Sequence, residues 1–95
     1  AMDYEVVWGD DAKENYRQIA SYLLDTFGFE TADRFTDAVN EKVARLERSP
    51  FIGQRLDGLT AVRRLPLPPH NVLYYSVVGR RITLLNILDG RRLAL

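Results

Sequence analysis

The main change in hydrophobic periodicity along this chain falls at Ser49-Pro50. From Ala12 to Leu46 the apolar residues recur every three to four positions, the spacing of one helix face. From Thr60 onward they gather in short β-prone runs broken by turn residues. A further β-prone run, Tyr4-Glu5-Val6-Val7-Trp8, precedes both and sets Tyr4, Val6 and Trp8 on one side. The predicted order is strand, helix, helix, strand, strand, strand. Only a helical hairpin is available to cover the apolar face of the sheet, so the fold class is α+β.

The boundaries follow from local chemistry. Gly9-Asp10-Asp11 ends the first strand, and Asp11 followed by Glu14 resembles a capping box, which predicts a helix from about residue 11. Ala12, Tyr16, Ile19, Ala20, Leu23, Leu24 and Phe27 form its apolar face, and Gly28 is placed to stop it. A second helix is predicted from near Thr31, with Ala32, Phe35, Val39, Val43 and Leu46 inward. Ser49-Pro50 ends it, because the residue before proline avoids the helical region. So short a connection between the helices predicts an antiparallel pair. Residues 50–58 read as a loop. Strands are then predicted over 60–65, 71–78 and 82–88, with Pro66, Pro68 and Pro69 marking an end or an edge. Their closeness in sequence predicts an antiparallel meander. The whole of residues 1–95 reads as a single domain. Ala1 before Met2 reads as an added residue and is left out of fold reasoning.

Composition removes several function classes. The chain has 95 residues and no cysteine, which excludes a disulfide scaffold, a thiol nucleophile and any cysteine metal site. A single histidine, His70, excludes a multi-histidine metal site within one chain, and no metal or cofactor is expected. No apolar run reaches the roughly 20 residues of a membrane span, so no membrane partner is expected. The absence of cysteine and of a secretory signal fits a cytoplasmic protein.

The net charge of zero hides an asymmetry. Residues 1–50 carry six Lys and Arg against eleven Asp and Glu, a balance of −5. Residues 51–95 carry seven Arg against Asp57 and Asp89, a balance of +5. All seven are Arg, which suits flat bidentate contacts to phosphate or carboxylate. One reading is a face built for an anionic partner. The other is that Arg edges the sheet and discourages edge pairing.

The order of elements, with particular residues in place, resembles the RelE/ParE superfamily of bacterial toxins. The opening Tyr4-Glu5-Val6-Val7-Trp8 with Ala12, and Ile19-Ala20-Ser21-Tyr22-Leu23 followed by Phe27-Gly28 and Ala32, are similar to its first strand, first helix and turn. Leu46, Ser49-Pro50, Gly53 and Leu59 resemble its loop after the second helix. Val72-Leu73-Tyr74-Tyr75, Ile82 through Leu88 and then Arg91 resemble its last two strands and tail. The resemblance implies the toxin of a type II toxin–antitoxin pair, able to stop bacterial growth and to stabilise plasmids. It implies a cognate antitoxin as partner, in a hetero-oligomer, lying along the helices, the sheet edge or the groove between them. Two activities divide the family. ParE-like members poison DNA gyrase. RelE-like members enter the ribosomal A site and cut mRNA. A third possibility is a non-toxic module that only binds its antitoxin and regulates transcription with it.

Chemistry separates the branches. Cutting RNA through its own 2′-hydroxyl needs a base, a cation for the phosphorane and an acid for the leaving oxygen. RelE-like members often place an Arg just before the Val-Leu-Tyr run, and here that residue is the neutral Asn71. The tail after the last strand holds neither His nor Tyr, while Arg91 matches a family Arg. These departures favour the gyrase-directed branch. If the chain is a nuclease, His70 and Arg91 are its catalytic candidates, the imidazole moving protons near neutral pH. The alternative for His70, after Pro68-Pro69, is a surface turn residue. Candidates for holding a phosphate or a target are Arg63, Arg64, Arg80, Arg81, Arg91, Arg92 and Tyr75. Arg63 and Arg64 are adjacent and point to opposite sheet faces. One of them can share a face with a given site, and the other is expected to pair with an acid on the helices. Arg80 and Arg81 sit in a predicted turn. Of Tyr74 and Tyr75, one is core and the other offers a hydroxyl or a stacking face. Asn86, inside an apolar strand, is either a satisfied polar group on the solvent face or an antitoxin contact.

Overall fold

In the computed structural model, which describes residues 3–92, strand β1 (Glu5–Trp8) leads into two helices, α1 (Asp10–Phe27) and α2 (Phe29–Arg48). Four strands follow: β2 (Gln54–Leu56), β3 (Leu59–Leu67), β4 (Asn71–Val78) and β5 (Arg81–Asp89). A short 3-10 turn, Gly90–Arg92, closes the described chain. Ala1, Met2 and residues 93–95 lie outside it.

The sheet has five strands in the order β1-β5-β4-β3-β2. The meander β3-β4-β5 is antiparallel, as its close spacing predicts. One feature corrects the expectation and a second adds to it. Residues 54–56 are a strand rather than loop, pairing antiparallel with β3 through Gln54↔Arg64 and Arg55↔Arg63. The Asp57-Gly58 step, with Gly58 at φ +77°, makes this reversal possible. And β1 pairs parallel with β5, Glu5 opposite Arg81 and Trp8 opposite Leu84, so the first and last strands are neighbours. β3 runs on through Pro66 because β2 stops pairing at Arg64, which leaves that side of Pro66 without a strand.

The helices cover one sheet face. Leu65, Leu67, Leu73, Tyr75, Ile82, Leu84 and Ile87 meet Ala12, Val39 and Leu46 in the core, with Tyr4, Val6, Trp8, Tyr16, Ile19, Phe35, Val43 and Val77 packed around it. Each fully buried Leu or Ile contributes about 1.5–3 kcal/mol. Trp8, Tyr16 and Phe35 tie β1, α1 and α2 together, with ring centroids 5.3 and 5.8 Å apart along the row.

Gly28 both ends α1 and begins α2. Its N–H caps the Leu23 and Leu24 carbonyls at 3.1 Å, and its φ of +96° suits glycine alone. The second helix therefore starts at Phe29, two residues before the expected Thr31. The Asp11–Glu14 capping box is not made. The first helix starts at Asp10 behind Gly9, which has no capping side chain, and Asp10 and Asp11 serve its first turn as negative charges. The apolar face of α1 is not buried along its whole length: Leu24 and Phe27, expected inward, are 49% and 62% exposed.

Candidate functional site

The end of the sheet where β4 starts and β5 finishes faces the C-terminal half of α1 across an open groove of about 700 Å³. Asn15, Gln18, Ile19, Tyr22, Leu23 and Phe27 form its helical wall. His70, Asn71, Ile87, Leu88, Asp89 and Arg91 form the strand wall. The groove has an apolar floor and a polar rim, the composition expected of a binding cleft.

Two of the predicted residues, His70 and Arg91, meet in this groove. His70 is exposed at the β3–β4 turn, and its carbonyl accepts a 2.7 Å hydrogen bond from the Gly90 N–H. That bond fixes the turn against the tail and brings residues 70 and 91 to one place. Arg91 is exposed, and its fork is occupied. Nη2 donates to Asp89 Oδ2 at 2.8 Å, while Nε and the backbone N–H donate to Asp89 Oδ1 at 3.1 and 2.9 Å. These hydrogen bonds, and secondarily the Asp89 charge, hold the guanidinium even more firmly protonated than usual. Asn71 donates weakly to the Leu88 carbonyl at 3.4 Å. Tyr22 and Asp89 complete the polar rim, and the sequence offered no signal for either. A helix residue and a strand-end residue become neighbours only through the tertiary fold.

The other predicted cations lie elsewhere. Arg80 and Arg81 sit at the β4–β5 turn, the far end of the same strands. Seven residue steps of β4 separate that turn from Asn71, roughly 23 Å. The structure therefore does not gather Arg63, Arg64, Arg80 and Arg91 around one phosphate. Arg81 Nε donates to Glu5 Oε1 at 3.3 Å. The Arg80 guanidinium lies 5.2 Å from the centroid of the Tyr4 ring. Both border a shallow cleft with Asp3, Glu5, Val78 and Thr83.

Arg63 and Arg64 do take opposite faces. Arg63 was expected to reach a helix acid if it left the site. It instead donates to the carbonyls of Gly53 at 2.7 Å and Phe51 at 3.2 Å, and its guanidinium lies 5.1 Å from the Phe51 ring centroid. The loop after α2 passes directly over Arg63, so backbone oxygens reach it before any helix acid does. Arg64 shares the other face with Gln54 and Tyr74, its register partners. Arg92 belongs to the closing 3-10 turn.

Tyr75 is fully buried. Its hydroxyl accepts the Gly53 N–H at 2.8 Å and donates to the Pro50 carbonyl at 2.9 Å. Burial pushes its pKa up, against the smaller opposing pulls of the Gly53 hydrogen bond and the Arg63 charge. The tyrosine that keeps contact with solvent is Tyr74. Asn86 is tied to α1. A β-bulge skips Leu85 between Tyr74 and Tyr75, and beyond it Asn15 Oδ1 accepts Asn86 Nδ2 at 3.2 Å and the Ile87 N–H at 3.0 Å.

Among the described residues no three His, Asp or Glu side chains converge as metal ligands, and no helix is long and apolar enough to cross a membrane. Among curated protein sequences none matches the chain. Solved structures do match its fold. A chromosomal ParDE toxin–antitoxin protein from P. aeruginosa superposes with a TM-score of 0.76 at 21% identity, over 94% of this chain and 98% of that one. A chain of the RelBE2 toxin–antitoxin complex from Mycobacterium tuberculosis gives 0.66 at 15% identity, over 92% and 98%. A chain of the E. coli DinJ–YafQ toxin–antitoxin complex gives 0.67 at 8% identity, over 98% and 99%. At such identities the likeness speaks for the fold. The family is carried by a match across residues 6–94 to the model of the ParE toxin of the type II toxin–antitoxin system parDE. With nearly the whole chain inside that match, the chain belongs to the ParE toxin family of type II toxin–antitoxin systems.

Proposed function

We propose that this toxin stops bacterial growth by poisoning DNA gyrase and is held silent by a cognate antitoxin. The observation that carries the reading is the match to the ParE branch over residues 6–94. The disposition of cations supports it. Arg63 is spent on loop carbonyls, Arg81 on Glu5 and Arg91 on Asp89, and the candidates sit at opposite strand ends. Catalysis of RNA cleavage calls for a base, a cation and an acid brought to one point. A gyrase poison needs a shaped surface instead. The antitoxin is supported by the hairpin tip, where Tyr22, Leu24, Phe27 and Phe29 are 49–70% exposed. So much apolar surface in one place is characteristic of a protein–protein contact.

One observation favours a second reading. His70 and Arg91 line the same groove, with Tyr22 on its opposite wall. In ribosome-dependent mRNA cleavage, His70 would move the 2′-hydroxyl proton. Arg91, released from Asp89, would face the phosphorane.

A supercoiling assay with purified gyrase, run beside primer extension on programmed ribosomes, separates the two. Loss of supercoiling with accumulation of cleaved DNA is expected, and no codon-positioned cut. A codon-positioned cut with gyrase unaffected overturns the first reading in favour of the second.

A further inference from the structure

The end of the sheet far from the groove, at the β4–β5 turn, carries an arrangement that toxin action as described leaves unused. Four side chains from four segments form a continuous row: Arg80, Tyr4, Phe51 and Arg63. The Arg80 guanidinium lies 5.2 Å from the Tyr4 ring centroid. The Tyr4 and Phe51 rings meet edge to face at 6.2 Å. The Arg63 guanidinium lies 5.1 Å from the Phe51 centroid. Phe51 is nonetheless 55% exposed. A large aromatic ring is thus braced by a cation and a second ring while more than half of it stays in water.

The adjoining edge strand adds a second observation. Arg55 on β2 stands directly opposite Arg63 on β3. Directly opposed residues of an antiparallel pair point to the same side, with Cβ atoms about 4.5–5.5 Å apart, and like charges there repel. Arg63 offsets part of this through the Gly53 and Phe51 carbonyls. Arg55 is exposed and makes no hydrogen bond or ion pair with a described residue. Two opposed guanidinium groups beside an exposed ring are stabilised by an anion that also presents a flat face.

We propose that this end of the sheet is a binding surface for unpaired nucleic acid, a base stacking on Phe51 while Arg55 and Arg80 hold the flanking phosphates. Aromatic stacking combined with a cationic track is how unpaired strands are held without sequence preference. An acidic peptide satisfies the arginines equally well, but its carboxylates bring no ring with them, whereas every nucleotide pairs its phosphate with a planar base for Phe51, and that difference decides between the two partners.

The test is fluorescence anisotropy of labelled oligo-dT and oligo-U, each of about 12 nucleotides, with the purified chain alone over a range of salt. Because neither gyrase nor ribosome is present, the result is independent of which of them the toxin attacks. Saturable binding is expected, and the two oligonucleotides report whether DNA, RNA or both are taken. Phe51→Ala should weaken it about five- to a hundredfold, and Phe51→Trp should keep or tighten it. Arg55→Gln should reduce the salt slope by about 1. Circular dichroism melts confirm folding, and if Phe51→Ala does not fold, Phe51→Trp and Arg55→Gln carry the test. The proposal is overturned by absence of saturable binding or by wild-type affinity in folded Phe51→Ala. It is equally overturned if poly-glutamate competes as well as oligonucleotide at equal charge.

Discussion

The Tyr75 hydroxyl lies 2.8 Å from the Gly53 amide nitrogen, 22 residues away in sequence, and this contact fastens the loop after α2 to the middle of the sheet. The same hydroxyl donates to Pro50 at 2.9 Å, so one phenol satisfies a donor and an acceptor that would otherwise be buried unpaired. A Cβ at position 53 would come within 2.6 Å of that hydroxyl and 2.7 Å of the Arg64 carbonyl. Gly53→Ala must push the loop off the sheet and is expected to cost about 1–3 kcal/mol. Tyr75→Phe keeps the ring and strands both loop groups, also at about 1–3 kcal/mol. Urea unfolding midpoints measure both. A Gly53→Ala midpoint equal to wild type would show that the loop is not clamped.

Tyr75 also makes a prediction in pH. Its pKa is raised in the folded state, chiefly by burial. Its contribution is therefore whole below the ordinary tyrosine value of about 10 and is lost as pH climbs past that value toward the folded one. Stability measured between about pH 9 and 11 should fall more steeply for wild type than for Tyr75→Phe. Parallel slopes would assign the alkaline loss to other groups.

Asn15 supplies one oxygen to two donors at the β5 bulge, Asn86 Nδ2 and the Ile87 N–H. Asn15→Ala leaves that amide without its acceptor and should cost about 1–3 kcal/mol. Asn15→Asp keeps an acceptor and should fall much closer to wild type in a thermal melt. If the two variants melt together, packing rather than hydrogen bonding holds α1 to the bulge.

Gly28 is the hinge of the hairpin. At φ +96° a side chain is strained although nothing stands within 4 Å of where its Cβ would be. Gly28→Ala is expected to lose about 1–3 kcal/mol through the backbone alone. An unchanged unfolding midpoint would mean that the turn can adopt another conformation freely.

Arg91 tests the groove. It is exposed and pairs only with Asp89 among the described residues, so Arg91→Ala should fold like wild type. Growth inhibition in an inducible strain is expected to weaken, and full toxicity would remove Arg91 from the target surface. His70→Ala should leave gyrase poisoning intact and abolish any mRNA cleavage.

Much of this architecture is readable from residue order. Helical spacing marks both helices and most of their inward faces, Gly28 marks their junction, and Val78 through Arg81 mark the β4–β5 turn. Other features depend on partners that sequence does not specify. A three-residue strand such as Gln54–Leu56 is too short for any alternation to declare it. The parallel pairing of β1 with β5 leaves no local signature, since a short β-prone run looks alike beside any neighbour. The alternation of Tyr74 and Tyr75 shows that they part company without showing which is core. Arg63 was legible as a cation, but its acceptors are backbone carbonyls, which no side-chain pattern reveals. The groove was half legible. His70 and Arg91 stand out as residue types, whereas Tyr22 and Asp89 join them only because α1 crosses the end of β5.

The pairing of the first strand with the last governs how this toxin comes into being. Glu5 and Arg81 lie 76 residues apart, so nothing made early in synthesis can satisfy the backbone of β1. The N-terminal strand leaves the ribosome and waits while both helices and four further strands are made. Contacts so distant in sequence raise the entropic barrier to folding and draw the whole sheet into one cooperative event. A message cut short before β5 thus yields a chain with no place for its first strand. The sheet is therefore completed only by a chain that carries β5.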